Sequence, residues 1–467
     1  MKHLKFSAAL LTAALLCLGA AALAEEDYEE PSLSLVTAVN DQVTSNGDLQ
    51  ADVEDSHIYG IMVQATDGKT AKADATGDIT VSAVTDKVDH LVAEGADVYA
   101  AGSGSTAILK LTGSISATGQ VTVPMNTDAA GLNLYAEEGS AIIVETNGDT
   151  IHSNAVRPDD DGYTWSAAVS AYSVDSSLQL LANSNLHGEA DDYGIGLNTY
   201  VLGDQPATSD ITVNGDVYGS LFGIVAANSN PQGDMKILVN GTISGGSCSV
   251  VLNDSTLDRI TLTAWEIKED ENGAIINGRD DYEQPVIAPE LEKQVNYILR
   301  IDPKQVNIIT PEGATLVDGL YTAHQDDEVT VKVNAGDRRV TAAYGDVKKS
   351  VRLKKNADGD YILTVPRGGG VYLSVKLSPA GNGPYTITIE PNGGSVKGHS
   401  DAWQVKNYTG TKYQLPDTPA REGYRFLGWY PGVPGEGAEN AALLEAGAVV
   451  AIRSDVAFVA LWEEAGE

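Results

Sequence analysis

From about residue 25 to residue 290 the chain is a succession of short apolar stretches punctuated by Asn, Gly, Asp and Ser. Outside the first 24 residues no run carries apolar side chains at i, i+3, i+4 and i+7, so amphipathic helices are not expected. Two units recur and alternate. The first is apolar-Asn-Gly-x-apolar-x-Gly, seen as Val213-Asn-Gly-Asp-Val-Tyr-Gly219 and Val239-Asn-Gly-Thr-Ile-Ser-Gly245. Weaker copies are Leu111 to Ala117, Thr146 to Ile151 and Asn183 to Gly188. The second is aromatic or Ala, then Gly, then aliphatic, at Tyr59-Gly60-Ile61, Ala130-Gly131-Leu132, Tyr193-Gly194-Ile195 and Phe222-Gly223-Ile224. A return of roughly 25 to 35 residues is the length of a full solenoid turn rather than of a hairpin. The expectation is a right-handed parallel β-helix over 25–290. Val and Ile stripes would stack inside, and Asn and Gly would take the corners that need left-handed backbone. The segments Pro31–His57 and Trp265–Ile287 are expected to cap its two open ends.

Residues 291–379 change pattern. Val329-Thr-Val-Lys-Val333, Ser350–Lys354, Tyr361–Val365 and Val371–Leu377 alternate cleanly, with turn signals at Asn334-Ala-Gly336, Asn356–Gly359 and Pro366–Gly370. This predicts a small β-sandwich-like module. A Pro/Gly linker, 379–384, leads to the last one.

That last stretch reads Tyr385-Thr-Ile-Thr-Ile-Glu-Pro-Asn-Gly-Gly394, Tyr413-Gln-Leu-Pro416, Arg421-Glu-Gly-Tyr-Arg-Phe-Leu-Gly-Trp-Tyr430 and Phe458-Val-Ala-Leu-Trp462. It resembles the internalin-type B repeat, also called the Listeria–Bacteroides repeat. The resemblance spans 384–463 and implies a β-grasp-like module with no catalytic role, carried by bacterial surface and secreted proteins. It also implies that Phe426, Trp429 and Trp462 form a small core. The upstream repeats are similar in style to the β-helix regions of bacterial adhesins and autotransporter passengers. The fold class expected overall is all-β.

The N-terminus has basic Lys2 and Lys5, an apolar run from Ala8 to Ala22 and a small-x-small end at Ala22-Leu23-Ala24, the form of a cleaved secretory signal over 1–24. No second apolar segment is long enough to span a membrane. After cleavage Cys248 is the one cysteine, so no internal disulfide is expected. There is no Leu-Pro-x-Thr-Gly sorting signal, and release or non-covalent attachment to the envelope is expected.

Charge divides the chain as the pattern does. Residues 25–290 hold 43 acids and 9 bases, whereas 291–379 hold 11 acids and 13 bases. An acidic body excludes nucleic acid and anionic lipid as partners, since phosphate recognition needs clustered Lys and Arg.

Candidate chemistry is sparse. Asp159-Asp160-Asp161 and Asp191-Asp192 are oxygen-rich and could serve calcium or, at a suitable separation, glycosidic cleavage. His57, His90, His152, His187, His324 and His399 lack His-x-x-x-His spacing, and zinc is not expected. Trp165, Trp403 and Trp429, with Tyr99, Tyr135, Tyr172 and Tyr218, are candidates for stacking on sugars. No residue is assigned as catalytic, cofactor-binding or metal-binding. The expectation is an exported, monomeric, non-catalytic protein that binds an extracellular glycan or a surface protein of a host or neighbouring cell. The alternative is a β-helix polysaccharide lyase or glycoside hydrolase.

Overall fold

The computed structural model describes residues 32–465 apart from 88–89, 124, 159–161, 253–258, 269–274, 280–284, 288, 337, 339, 378–384, 409–411 and 433–441. The signal-like segment 1–24, the Asp159–Asp161 run and the linker therefore lie outside the described residues. The protein is all-β, and the chain divides into two compact units, the first ending at Asn296 and the second running from Tyr297 to Glu467.

The first unit is a parallel β-helix. Each full coil lays down three strands, as in His90–Ala101, Thr106–Thr112 and Ile115–Val121. The first strands of successive coils stack in one sheet: Ser32–Val39, His57–Ala65, His90–Ala101, Asn126–Glu137, Tyr163–Val174, Tyr193–Leu202, Phe222–Asn228 and Cys248–Leu252, all in parallel. The second and third strands stack in the other sheet. Side-chain hydrogen bonds link successive coils, as between Asn40 and Thr66, 26 residues apart, and between Gly68 and Ser105, 37 residues apart.

The core follows from the two-residue period of a strand. In the second strands Ala107, Leu109 and Leu111 point in beside Ile142 and Val144 and then Leu178 and Leu180, all fully or nearly buried. In the first strands the inward column Ile61, Ala96, Leu132, Val169, Leu197, Ile224 and Val250 is completely buried. Identical registers stack like on like, so each coil buries apolar area mainly against its neighbours.

The Asn-Gly unit marks the corner between second and third strands. Asn183 Nδ2 donates to Asn147 Oδ1 at 2.7 Å, Asn214 to Asn183 at 2.5 Å and Asn240 to Asn214 at 2.5 Å, a ladder that climbs the helix. Beside it Asp78 Oδ1 accepts from Ser114 N, and Asp216 Oδ1 accepts from Thr242 N. Corners leave backbone N–H groups without strand partners, and these carboxylates and amides supply the acceptors. Part of the acidity is thus structural. Replacing Asn183 by Ala removes its place in two ladder bonds and should cost about 1–2 kcal/mol, read as a lowered denaturation midpoint. An unchanged midpoint would show that the ladder adds nothing.

The final Gly of that unit sits where the third strand turns back into the next coil. Register equates Ala117, Ser153, Gly188, Gly219 and Gly245. Small side chains give way to glycine along this column as the third strand shortens, from Ile115–Val121 to Val217–Gly219. A Cβ on Gly219 would lie 1.8 Å from Phe222 O, and one on Gly188 would lie 1.8 Å from Ile195 O. Only glycine lets the short coils close.

Register also revises the second repeat. Gly60, Gly95, Gly131, Gly196 and Gly223 share a column, with Ala168 between Gly131 and Gly196. Tyr193-Gly194-Ile195 is therefore two residues out of phase; the equivalent triplet is Ile195-Gly196-Leu197. The motif was misled because Gly194 occupies a separate close approach, to Ser220 and Ala190.

Neither expected cap stands as expected. Ser32–Val39, Gln42–Asn46 and Leu49–Glu54 pair in parallel with the following strands and make a complete first coil. At the other end Ile260–Ile267, which carries Trp265, is a parallel strand of the second sheet, with a register shift opposite Trp265. The parallel stack ends later: Ile275–Arg279 continues it, and Pro285–Ile287 pairs antiparallel to that strand.

The second unit holds two small β modules. In one, Ile309–Glu312, Glu328–Val333, Tyr361–Thr364 and Lys354–Lys355 form an antiparallel sheet, and Arg300–Ile301, Tyr372–Leu377 and Val340–Tyr344 form a mixed one, Arg300–Ile301 pairing in parallel. In the other, Tyr385–Glu390 pairs in parallel with Val456–Glu464 at the centre of a four-stranded sheet flanked by Trp403–Tyr408 and Tyr424–Pro431. Trp429 is fully buried in its core with Ile387, Ile389 and Phe458. Phe426 and Trp462 pack edge-on against that core, half-buried. Trp462 Nε1 donates to Pro391 O, and a Cβ on Gly394 would strike its ring at 2.2 Å, which accounts for the Gly-Gly turn.

Candidate functional site

The outward positions of the first sheet make the most unusual surface of the β-helix. Register sets out three columns running along its axis. One holds Met62, Asp97, Asn133, Ser170 and Asn198; the next holds Gln64, Tyr99, Tyr135, Tyr172 and Tyr200. Three residues N-terminal to the first column, across the glycine column, lie Tyr59, Glu94, Ala130, Ala167, Ile195 and Phe222.

The tyrosines form a ladder with ring centroids 6.1, 6.0 and 5.1 Å apart and interplanar angles of 16°, 36° and 4°. These spacings suit offset stacking between adjacent coils. The ring faces meet one another, so they are not platforms for a sugar. Tyr99, Tyr135 and Tyr172 are thus brought together, but as a structural ladder in which Tyr135 and Tyr172 are buried. Tyr99 Oη donates to Glu137, and Tyr172 Oη accepts from Asn198 Nδ2 at 3.0 Å. Tyr218 lies elsewhere, on the second sheet, against His187. Trp165 joins the buried cluster that contains the ladder's Tyr135, Tyr172 and Tyr200 together with Phe222 and Cys248; Trp429 belongs to the C-terminal core and Trp403 stacks on His399.

The polar end of the same face is acidic. Asn133 Nδ2 is shared by Glu94 Oε1 at 3.1 Å and Asp97 Oδ1 at 3.4 Å, so one amide joins two carboxyl groups. His90 Nε2 bonds to Asp128 Oδ2 at 2.9 Å nearby. Burial raises the Glu94 carboxyl well above the usual carboxylate range, and the Asp97 charge raises it further. Burial pushes Asp97 up to about 7. Glu94 Oε2, Asp128 Oδ1 and Ser170 Oγ are buried and meet no hydrogen-bond partner among the described residues. Unfilled buried polar atoms are uncommon in native proteins, and here three fall on one face of consecutive coils.

No local motif announces Glu94 and Asp97. Their signal is the glycine column, because Glu94-Gly95-Ala96 aligns with Tyr59-Gly60-Ile61 and places an acid where its neighbours have apolar or aromatic side chains. The acids singled out by adjacency behave differently. Asp192 pairs with Arg157 at 2.7 Å and accepts from both Thr164 N and Thr164 Oγ1, while Asp191 accepts from Arg157 N. Both brace a corner.

Two other groupings exist. In the sandwich-like module a groove is lined by Arg338, Arg352, Lys355 and Tyr361. On the second sheet His152, His187 and Glu189 approach one another, although 35 residues of sequence separate the two histidines' coils. Spacing rules for helices and knuckles missed this pair because the β-helix brings together residues one coil apart.

The fold defines a structural class: a parallel β-helix joined to small β modules. Within the second module, residues 385–441 match the family model of the Listeria-Bacteroides repeat domain, a repeat typical of extracellular and surface proteins. No curated protein matches the chain. Among the described residues no helix is long and apolar enough to cross a membrane.

Proposed function

We propose that this is an exported bacterial surface or secreted protein whose β-helix binds a hydroxyl-rich extracellular ligand, a glycan, on the outward face of its first sheet, while the two small modules act as spacers. The observation that carries the reading is the set of unfilled buried polar atoms on Glu94, Asp128 and Ser170 beside the Asp97–Asn133–Ser170–Asn198 column. Sugar hydroxyls both donate and accept, so one polymer laid along the axis satisfies the Glu94 carboxyl, an amide and a carboxylate in turn. The β-helix supplies a repeated, rigid row of such groups, and binding at several coils adds up.

A second reading is favoured by the shared Asn133 amide. A pair of carboxyl groups brought together on one face is the requirement for glycosidic cleavage, with Glu94 as acid and Asp97 as base or nucleophile. Incubating the purified chain with a glycan array and with soluble polysaccharides separates the two. Retention without turnover, lost in Glu94→Gln/Asp97→Asn, is the expected result. Release of reducing or unsaturated ends would replace binding by hydrolysis or elimination, and absence of any retention would sink both. Cell fractionation tests export: the chain should appear in the envelope or medium.

A further inference from the structure

On the outward face of the second sheet, register places His152 of one coil beside His187 of the next, with Glu189 two residues further along the same strand and next to Asn154. Strand alternation puts His187 and Glu189 on the same side. His187 Nε2 bonds Glu189 Oε1 at 2.8 Å, and His152 Nε2 lies 3.8 Å from Glu189 Oε2. One donor atom from each residue falls within 4.8 Å of the other two. The imidazoles meet edge to face at 5.2 Å, and Tyr218 of the following coil closes on the other side of His187 at 4.7 Å. His187 is therefore held between two rings, with Nε2 aimed at the carboxylate.

We infer that His152, His187 and Glu189 form a binding site for a divalent transition-metal ion of the zinc class, which clamps two consecutive coils together. Two imidazoles and a carboxylate are the donor set of borderline cations such as Zn2+, Cu2+ and Ni2+; Ca2+ and Mg2+ take oxygen ligands instead. Three protein ligands leave a fourth position, which on this half-exposed face is open to water or to a donor from a partner. Small rotations about the side-chain torsions draw the three atoms to bonding distance without moving the backbone, which the parallel ladder holds on both sides.

The test is calorimetric titration of the purified full chain with ZnCl2, with CaCl2 run in parallel because the acidic surface attracts any dication weakly. The expected result is a one-to-one Zn2+ isotherm that Ca2+ does not reproduce. Replacing a direct ligand should cost at least what losing a second-shell partner does, so His152→Ala and His187→Ala should each weaken it by ~100-fold, and Glu189→Gln by roughly tenfold. His399→Ala, in the other unit, should leave it unchanged. None of the four side chains is fully buried, and circular dichroism confirms that each variant is folded. Co2+ in place of Zn2+ should show the visible absorption of a four-coordinate site, absent in His187→Ala. The inference is overturned if the chain gives no Zn2+ isotherm, if affinity survives in both histidine variants, or if Ca2+ binds as tightly at the same residues.

Discussion

Gly219→Ala should remove cooperative folding of the β-helix at ordinary temperature or lower its stability by at least ~3 kcal/mol. The added Cβ meets Phe222 O at 1.8 Å and Gly194 O at 2.6 Å, both backbone atoms within the stacked ladder. No rotamer change relieves such a contact; the corner itself must shift, and with it the register of the coils on either side. The comparison that isolates sterics from backbone conformation is Gly47→Ala. Gly47 has φ +96 but nothing within 4 Å of its Cβ position, so it pays only for the left-handed backbone, about 1–2 kcal/mol. Thermal unfolding of the two variants decides the matter. Equal losses would mean that the close approach at Gly219 is relieved cheaply and that coil closure does not depend on it.

The second large effect is a loss of stability as pH rises from 5 to 8. An aspartate in the unfolded chain titrates near 3.8, and Asp97 in the fold titrates near 7, with Glu94 also raised. The folded state holds these protons more tightly, so their stabilisation is complete below the unfolded value and is lost as pH climbs through the folded one. The Glu94→Gln/Asp97→Asn variant has nothing to ionise there. Its melting temperature should fall less over the same interval, by a difference of ~5 °C. The whole-chain charge of −35 also works against the fold at high pH, which is why the difference between the proteins is the quantity to read. Parallel pH profiles would show that the two carboxyl groups are more hydrated than their burial implies. A glycan that satisfies Glu94 Oε2 should reduce the difference when present in excess.

The histidine site and the acidic site share one reason for escaping a reading of the sequence. Metal and catalytic motifs are short because helices and turns bring near neighbours together; in a β-helix the nearest outward neighbour is one coil away. His152 and His187, or Asp97 and Asn133, are adjacent only after the register is known. Adjacency in sequence misled in the opposite direction. Asp191 and Asp192, side by side, bind Arg157 and Thr164 at a corner and converge on nothing. The four tyrosines show an intermediate case. Their presence on coil faces was legible for Tyr99, Tyr135 and Tyr172, but whether the rings face solvent or one another depends on coil stacking, and they face one another.

The sequence by itself determined the class of fold, the repeat length and the places where the chain turns. Those rest on local physics: two-residue alternation makes strands, Asn and Gly occupy corners, and a Gly-Tyr-Arg-Phe-Leu-Gly-Trp stretch encodes its own small core around Trp429. The tertiary structure alone decided the register. That choice, made by packing of inward columns such as Ile61–Ala96–Leu132–Val169, turned the first residues from a cap into a coil and put Gly196 in place of Gly194. It also set which outward side chains meet. Side chains on one strand interact with those at the same height on the next, and that height depends on every residue inserted at the corners between them.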